Sequence, residues 1–304
     1  MDSIVSSIGE WRGKKIKVEK IGGLTNENYL LTVNNERFVL RICRQNARDL
    51  QNDRNAELES LKAASNAGIA PEVFRFFLPE GHMITRYIAG RHWTGEEYFD
   101  DNNRSRLVSV VKKVHSLPGS KALFSPFEKI AVFSNAAKRL KCAFPGDYAA
   151  LLDYQEDIRK AQGQDKSDWL KLCHNDLYYV NFVDDGRIWL LDWEFSGMGD
   201  IYFDLAILTY AYESYGVLPF EKQERTLRDY FGEVTAFHWL RFDGMRFMLM
   251  HFNALWALIQ DGHVRAGHIP AVKGFDYREY AENSFREMHV IMCETSEEKK
   301  RNRR

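Results

Sequence analysis

Read from the N-terminus, apolar and polar positions first alternate with a period of two. KIKVEKI (15–21), NYLLTV (28–33) and ERFVLRIC (36–43) each predict a strand. Gly22-Gly23 follows the first, and Asn34-Asn35 forms a hairpin turn between the other two. A helical pattern then runs over about 48–67 and stops at Gly68, with Pro71 just beyond. VFRFFL (73–78), the turn Pro79-Glu80-Gly81 and HMITRYI (82–88) predict a second hairpin. The expected unit is a small antiparallel sheet carrying one helix.

From about residue 95 the period lengthens. Leu107, Val110, Val111 and Val114 recur at helical spacing, and PFEKIAVFSNAAKRLKCA and DYAALLDYQEDIRKA predict further helices. A short β island interrupts at KLCHNDLYYVNFVDDGRIWLLDWE (171–194). Helices resume from about Phe203 to Met292, and the charged end ETSEEKKRNRR is expected to fray. The change of pattern places a boundary near Gly90. It separates a β-rich lobe over 1–90 from a larger, mainly helical lobe over 91–304, an α+β fold.

Composition narrows the class. A chain of 304 residues with 45% hydrophobic and 28% charged positions is a folded globular protein, and it needs no disulfides to bury a core. Its 42 basic and 43 acidic residues leave a formal charge of −1, so no bulk field draws it to nucleic acid or an anionic membrane. Cys43, Cys142, Cys173 and Cys293 lie far apart with no Cys-x-x-Cys pair, which disfavours zinc and disulfides and points to a reducing compartment. The N-terminus has no apolar run of the signal-peptide kind. The longest apolar stretch, FMLMHFNALWALI, is broken by His251 and Asn253 and is too short to span a bilayer. The expectation is a soluble cytoplasmic protein with no nucleic-acid partner and no membrane insertion, its oligomeric state open.

The β island carries the strongest chemical signal. His174-Asn175-Asp176 is followed by Asn181 and then by Asp192 in the apolar strand IWLLDW, the spacing H-x-D-x-x-x-x-N plus a later aspartate. Phosphoryl transfer needs a carboxylate beside the attacking hydroxyl, and a carboxylate and an amide oxygen that hold magnesium against the nucleotide phosphates. Asp176 is the candidate base; Asn181 and Asp192 are the candidate metal ligands. A hairpin through Asp185-Gly186 would bring the last two to the same end. An aspartate in an apolar strand carries a large desolvation cost that a bound cation would offset. His174 is a catalytic candidate, or a brace for the loop.

The first lobe supplies a cation. In FVLRI, period two puts Val39 and Arg41 on one face and Phe38, Leu40 and Ile42 on the other. An arginine on the third strand offers a planar fork of donors to phosphates. Glu57, Leu61 and Ala64 share the inward face of the following helix, which makes Glu57 the partner for Arg41 and leaves Glu59 outside. Gly22-Gly23-Leu24-Thr25-Asn26 is an ordinary turn that can approach phosphates through its backbone amides. Gly23, Thr25, Asn26, Arg41, Glu57 and Tyr87 are the nucleotide-binding candidates.

These residues together resemble the choline/ethanolamine kinase family, within the aminoglycoside-phosphotransferase-like small-molecule kinases. The resemblance rests on GGLTNENYLLTV, FVLRI, NAELESLKAA, CHNDLYYVNF and LLDWEFSGMGDIYFDLA, runs from about residue 15 to 290, and looks closest to the bacterial branch. It implies a two-lobed protein-kinase-like fold, ATP and Mg2+ as cofactors, and transfer of the γ-phosphate to a small alcohol. Asp176 takes the place of the catalytic aspartate, Asn181 and Asp192 of the metal ligands, and Arg41 and Glu57 of the phosphate-positioning pair.

A quaternary ammonium such as choline has no N–H to donate, so proteins hold it with aromatic faces and a nearby carboxylate. Tyr212, Glu213 and Tyr215 follow Phe203-Asp204-Leu205, and HFNALWALIQ (251–260) resembles the family segment that gives a tryptophan to the choline pocket, which assigns Trp256 to it. Where eukaryotic members carry a second tryptophan, this chain has Phe252 and Asn253. Trp256 also fits an apolar helical stripe with Phe252, Leu255 and Ile259, and so an ordinary core. Glu194 is a candidate for a second magnesium ion or for the ammonium. Three alternatives stay open: a kinase for thiamine, one for an aminoglycoside, and an inactive nucleotide-binding relative. Asp-Trp-Glu and His-Asn-Asp in place of Asp-Phe-Gly and His-Arg-Asp argue against a protein kinase.

Overall fold

The computed structural model describes residues 2–23, 26–44, 47–162, 168–211 and 216–301. After a short helix α1 (Asp2–Ser6), strands β1 (Ile16–Gly22), β2 (Asn26–Val33) and β3 (Glu36–Cys43) run antiparallel, as their alternation predicts. Asn34 takes the left-handed turn, with φ 55°. The expected helix over 48–67 is instead two: α2 (Ala47–Leu50) and α3 (Arg54–Asn66). Gln51 breaks the run in the left-handed region, and Asp53 caps α3 by accepting from the N–H groups of Asn55 and Ala56. β4 (Val73–Phe77) and β5 (His82–Arg86) complete a five-stranded sheet of order β1-β2-β3-β5-β4.

Period two sorts the sheet's faces. Phe38, Leu40, Leu31 and Ile84 pack with Trp11 in a small core of their own. Val39 and Arg41 face the other way, toward the rest of the molecule.

β6 (Arg91–His92) begins the second half, followed by α4 (Gly95–Phe99), α5 (Asp101–His115), α6 (Pro126–Arg139) and α7 (Tyr148–Gln162). The β island resolves into β7 (Leu170–Cys173) and the hairpin β8 (Phe182–Asp184) and β9 (Ile188–Leu190), with Gly186 at φ 98° in its turn. β10 (Gly197–Asp200) pairs with β7; its glycine-rich GMGD shows no strand alternation in the sequence. Then come α8 (Ile201–Ile207), the short pair β11 (Tyr210–Ala211) and β12 (Gly216–Val217), and α9 (Phe220–Phe231).

Helix α10 (Ala236–Arg265) is the central beam. It is buried at nearly every position from Arg241 to Gln260 and packs on α6, α8 and α11 (Tyr277–Arg301). The long apolar stretch of the sequence is therefore core. Among the described residues no helix is long and apolar enough to cross a membrane. The C-terminal residues expected to fray continue α11 as far as Arg301.

The connection from the sheet crosses at Gly90 and pairs through β6 with β8. A Cβ built at Gly90 would lie 2.6 Å from Val183 Cγ1 and 2.8 Å from the Asp184 carbonyl oxygen. Backbone on one side leaves little room to give. Gly90→Ala is therefore expected to destabilise the protein by about 1–3 kcal/mol, read as a lower denaturant midpoint at unchanged slope.

Candidate active site

A cleft of about 710 Å³ opens between the sheet and the helical half. Gly23, Val39 and Arg41 line it from one side; Asp176, Asp192 and Trp256 line it from the other.

The loop after β7 is pinned from below. Fully buried Asp204, in α8, accepts the backbone N–H of His174 at 2.9 Å and of Asn175 at 2.7 Å, with His115 Nε2 at 3.0 Å. Asn175 is left-handed, with φ 62°, and its Nδ2 donates to the Phe195 carbonyl at 2.9 Å. Asp204, His115 and Cys173 stand close enough together to suggest a metal site, but both Asp204 oxygens are already committed to this loop. The sequence reading passed over Asp204 as a marker of its helix. The available signal was an acid between Phe203 and Leu205, in a helix buried at every position.

His174 does not line the cleft. It is fully buried, donates from Nε2 to the Leu191 carbonyl at 2.9 Å, and sits edge-on against Trp193 at 4.6 Å. Burial pulls its pKa down to about 4, so the ring stays neutral. The geometry is that of a brace, joining the loop of Asp176 to the segment of Asp192.

The hairpin brings Asn181 and Asp192 to one end, where the Leu191 N–H donates to the Asn181 carbonyl at 2.9 Å. Asp192 is not on a strand. β9 ends at Leu190, and Asp192 turns left-handed at φ 57°, so Asp192 and Glu194 belong to an irregular segment. Asn181 Nδ2 donates to the Asp176 carboxylate at 2.8 Å and to its carbonyl at 2.9 Å, which leaves the amide oxygen as the atom available to a cation. Burial first, then the charges of Asp192 and Glu194, drives Asp176 well above the usual carboxylate range. Burial and Glu194 likewise push Asp192 upward against the pull of Arg41. Three neighbouring carboxylates, with an amide oxygen beside them, form an all-oxygen donor set suited to a hard divalent cation such as Mg2+.

On the sheet side Arg41 is 3% exposed. It reaches Glu57 at 2.5 Å, Asp192 at 3.1 Å and the Gly81 carbonyl at 3.0 Å. Burial would lower the guanidinium pKa, yet the charges of Glu57 and Asp192 hold it above its ordinary value. Glu57 also accepts from Arg54 at 2.7 Å, and Glu59 is exposed, as the helical spacing predicts. Arg54 continues to Glu194 at 3.3 Å, and Glu194 accepts from Asn26 at 3.2 Å and Asn52 at 3.1 Å. Glu194, the candidate for a second magnesium ion or for the ammonium, is thus engaged by side chains of the N-terminal lobe. Gly23 lines the cleft at φ 122°, where a Cβ would meet the Asn26 carbonyl oxygen at 2.2 Å. Tyr87 lines the cleft under Arg37, whose guanidinium carbon lies 4.3 Å from its ring centre. Thr25, Tyr212, Glu213 and Tyr215 lie outside the described residues.

Trp256 is half-buried and faces the cleft, unlike its helical neighbours Leu255 and Ile259, which are core. Its ring stands edge-on to Tyr277 at 5.7 Å and to Tyr280 at 6.3 Å. Tyr178, Phe275 and Tyr280 extend the aromatic wall. The sequence reading missed all three; Tyr178 lay within the signal, two residues past Asp176.

Sheet, cleft and carboxylate loop define the α+β, two-lobed kinase-like fold expected from the sequence. The sequence pattern of the Phosphotransferase enzyme family matches residues 17–244, and the chain belongs to that family. Its similarity is to the choline-kinase-like branch. Protein LicA of Haemophilus influenzae is 29% identical over 258 residues, 80% of this chain and 72% of that protein. A choline/ethanolamine kinase family protein from Mesorhizobium loti superposes with a TM-score of 0.72 at 27% identity, over 95% of this chain and 92% of the other. The choline kinase LicA from Streptococcus pneumoniae superposes with a TM-score of 0.77 at 21% identity, over 96% and 98%.

The buried ion pairs generate a stability prediction. Removing Glu57 takes from two buried guanidinium groups their shortest carboxylate contact, leaving each a single, longer ion pair and little water. Glu57→Ala should therefore cost about 3–5 kcal/mol in chemical denaturation, several times the cost of deleting an exposed pair.

Proposed function

We propose that the protein transfers the γ-phosphate of ATP to the hydroxyl of choline or a related amino alcohol. The observation that carries this reading is the chemistry of the cleft's far wall. It presents Trp256, Tyr280, Phe275 and Tyr178, and the only acids lining the cleft among the described residues are Asp176, Asp192 and Glu194. Faces of aromatic rings hold an alkylated ammonium, whereas a polycationic aminoglycoside calls for dense carboxylates.

In this reading Val39 and Met83 flank the base of the nucleotide, and Tyr87 lies on the connection beside them. Gly23 lets backbone approach the phosphates, and Arg41, positioned by Glu57, pairs with them. Asn181 and Asp192 would hold Mg2+, which when bound neutralises phosphate charge. Asp176 accepts the hydroxyl proton as that oxygen bonds to the γ-phosphorus and the bond from phosphorus to the ADP oxygen breaks. His174 and Asp204 act as positioning residues beneath Asp176.

Release of ADP with choline, ethanolamine, thiamine and kanamycin as acceptors tests the assignment. Turnover with the amino alcohols is expected; turnover with thiamine or kanamycin alone would sink it. Asp176→Asn keeps the shape and removes the base, so kcat should fall by about 10²–10⁴ while ATP affinity measured by calorimetry stays within a few-fold. Trp256→Ala should raise the KM for choline by about thirtyfold, the equivalent of about 2 kcal/mol of cation–π contact, with the KM for ATP nearly unchanged. An unchanged choline KM in the folded variant would remove Trp256 from the pocket.

A further inference from the structure

One polar atom in the aromatic wall, Asn253 Nδ2, has no hydrogen-bond partner. Asn253 lies three residues before Trp256 on α10, so both side chains leave the same face of the helix, and both line the cleft. Asn253 is 4% exposed. The Tyr178 hydroxyl donates to its Oδ1 at 2.9 Å, and its Nδ2 is buried without any hydrogen-bond partner. Tyr178 is itself joined to Tyr280, so the amide is held at one end by a chain of tyrosines. An unpaired buried amide end costs stability and is satisfied when a ligand supplies the missing partner.

The chemistry of that partner follows from the charge of the cleft. The lining carries three carboxylates, Asp176, Asp192 and Glu194, and two guanidinium groups, Arg41 and Arg86, both of which come from the sheet, so the helical wall around Asn253 favours a cation. The two ends of a primary amide are nearly alike in shape, so the group can turn over without steric cost. Nδ2 then donates to the Tyr178 hydroxyl, whose own proton turns to the neighbouring Tyr280 hydroxyl, and the amide oxygen is the end left to the cleft. An oxygen beside rings that hold a cation accepts an N–H. A quaternary ammonium has none to give, and a tertiary, secondary or primary ammonium has at least one.

Resting on the amino-alcohol reading above, we propose that Asn253 is a specificity-determining residue, favouring acceptors whose nitrogen carries an N–H over the fully alkylated one. N,N-Dimethylethanolamine and choline make the comparison. They differ by one methyl, and at neutral pH only the first carries an N–H. The ratio of their kcat/KM values within one preparation does not depend on how much of the enzyme is folded.

The experiment measures that ratio in the wild-type protein and in Asn253→Leu, which keeps the volume and removes the amide. The expected result is a ratio favouring dimethylethanolamine in the wild type and about tenfold lower in the variant, the scale of one buried hydrogen bond. Asn253→Asp, which keeps an acceptor oxygen, should hold or raise the ratio. Should Asn253→Leu yield no soluble protein, Asn253→Ala reads the same quantity. If both amines are substrates and the ratio is the same within twofold in wild type and variant, this inference is overturned while the amino-alcohol reading stands. If the wild type phosphorylates neither amine, both fall.

Discussion

Two guanidinium groups and three carboxylates meet where the sheet faces the helical half, and the architecture of the cleft depends on them. They run in a chain from Asp192 through Arg41, Glu57 and Arg54 to Glu194. Arg41 comes from the third strand, Glu57 and Arg54 from the helix after it, and the two end carboxylates from the segment after the hairpin β8–β9. Desolvating so many charges costs several kcal/mol for each ion, and their attraction roughly repays it. The net gain is therefore small, but losing one member is expensive. Such a network sets the register between sheet and loop more than it adds stability.

That register places the reacting groups. The carboxylate loop needs two left-handed residues, Asn175 and Asp192, at positions where neither is glycine. Such conformations cost of order 1–3 kcal/mol each and persist because the surroundings fix them. Asp204 takes two consecutive N–H groups of the loop, His174 ties it to Leu191, and Arg41 holds Asp192 from across the cleft. With the backbone fixed, Asp176, Asp192 and Glu194 cannot move apart: Glu194 raises the proton affinity of both aspartates, and Asp192 raises that of Asp176. The site is arranged at the expense of its own comfort, and in the proposed reading a divalent cation would relieve it.

Much of this was legible in the sequence, for identifiable reasons. Strand alternation gave all five strands of the sheet and put Arg41 on the cleft face, because period two admits one answer once Phe38 and Leu40 are core. Helical spacing paired Glu57, and not Glu59, with Arg41. What escaped depends on backbone conformation or on distant segments. The break at Gln51 is a left-handed turn inside an otherwise helical pattern. Asp192 reads as strand because Ile188–Leu190 precede it, and its φ of 57° has no signature in IWLLDW. Glu194 stood out in the sequence without a partner, because its partners Asn26, Asn52 and Arg54 lie more than a hundred residues away. Tyr280 and Phe275 reach the cleft only because α11 packs along α10, a pairing that no local pattern encodes.

The two ends of the cleft are coupled through burial. Aromatic rings hold a cation strongly only where water is displaced, and the same exclusion of water raises Asp176 and Asp192. Tyr178 joins the two effects. It follows Asp176 by two residues, contributes a ring to the far wall, and is pushed well above its ordinary pKa, first by burial and then by the Asp176 charge, so its hydroxyl stays protonated. A neutral hydroxyl beside the carboxylates can orient an amide without adding a fourth negative charge. In the proposed reading, an anion there would compete with the cleft's carboxylates for the substrate's cation and draw it away from Asp176. The wall is thus apolar in its faces and polar only at its tips. In the proposed reading, that division would let one small cavity hold a cation at one end and confine negative charge to the other.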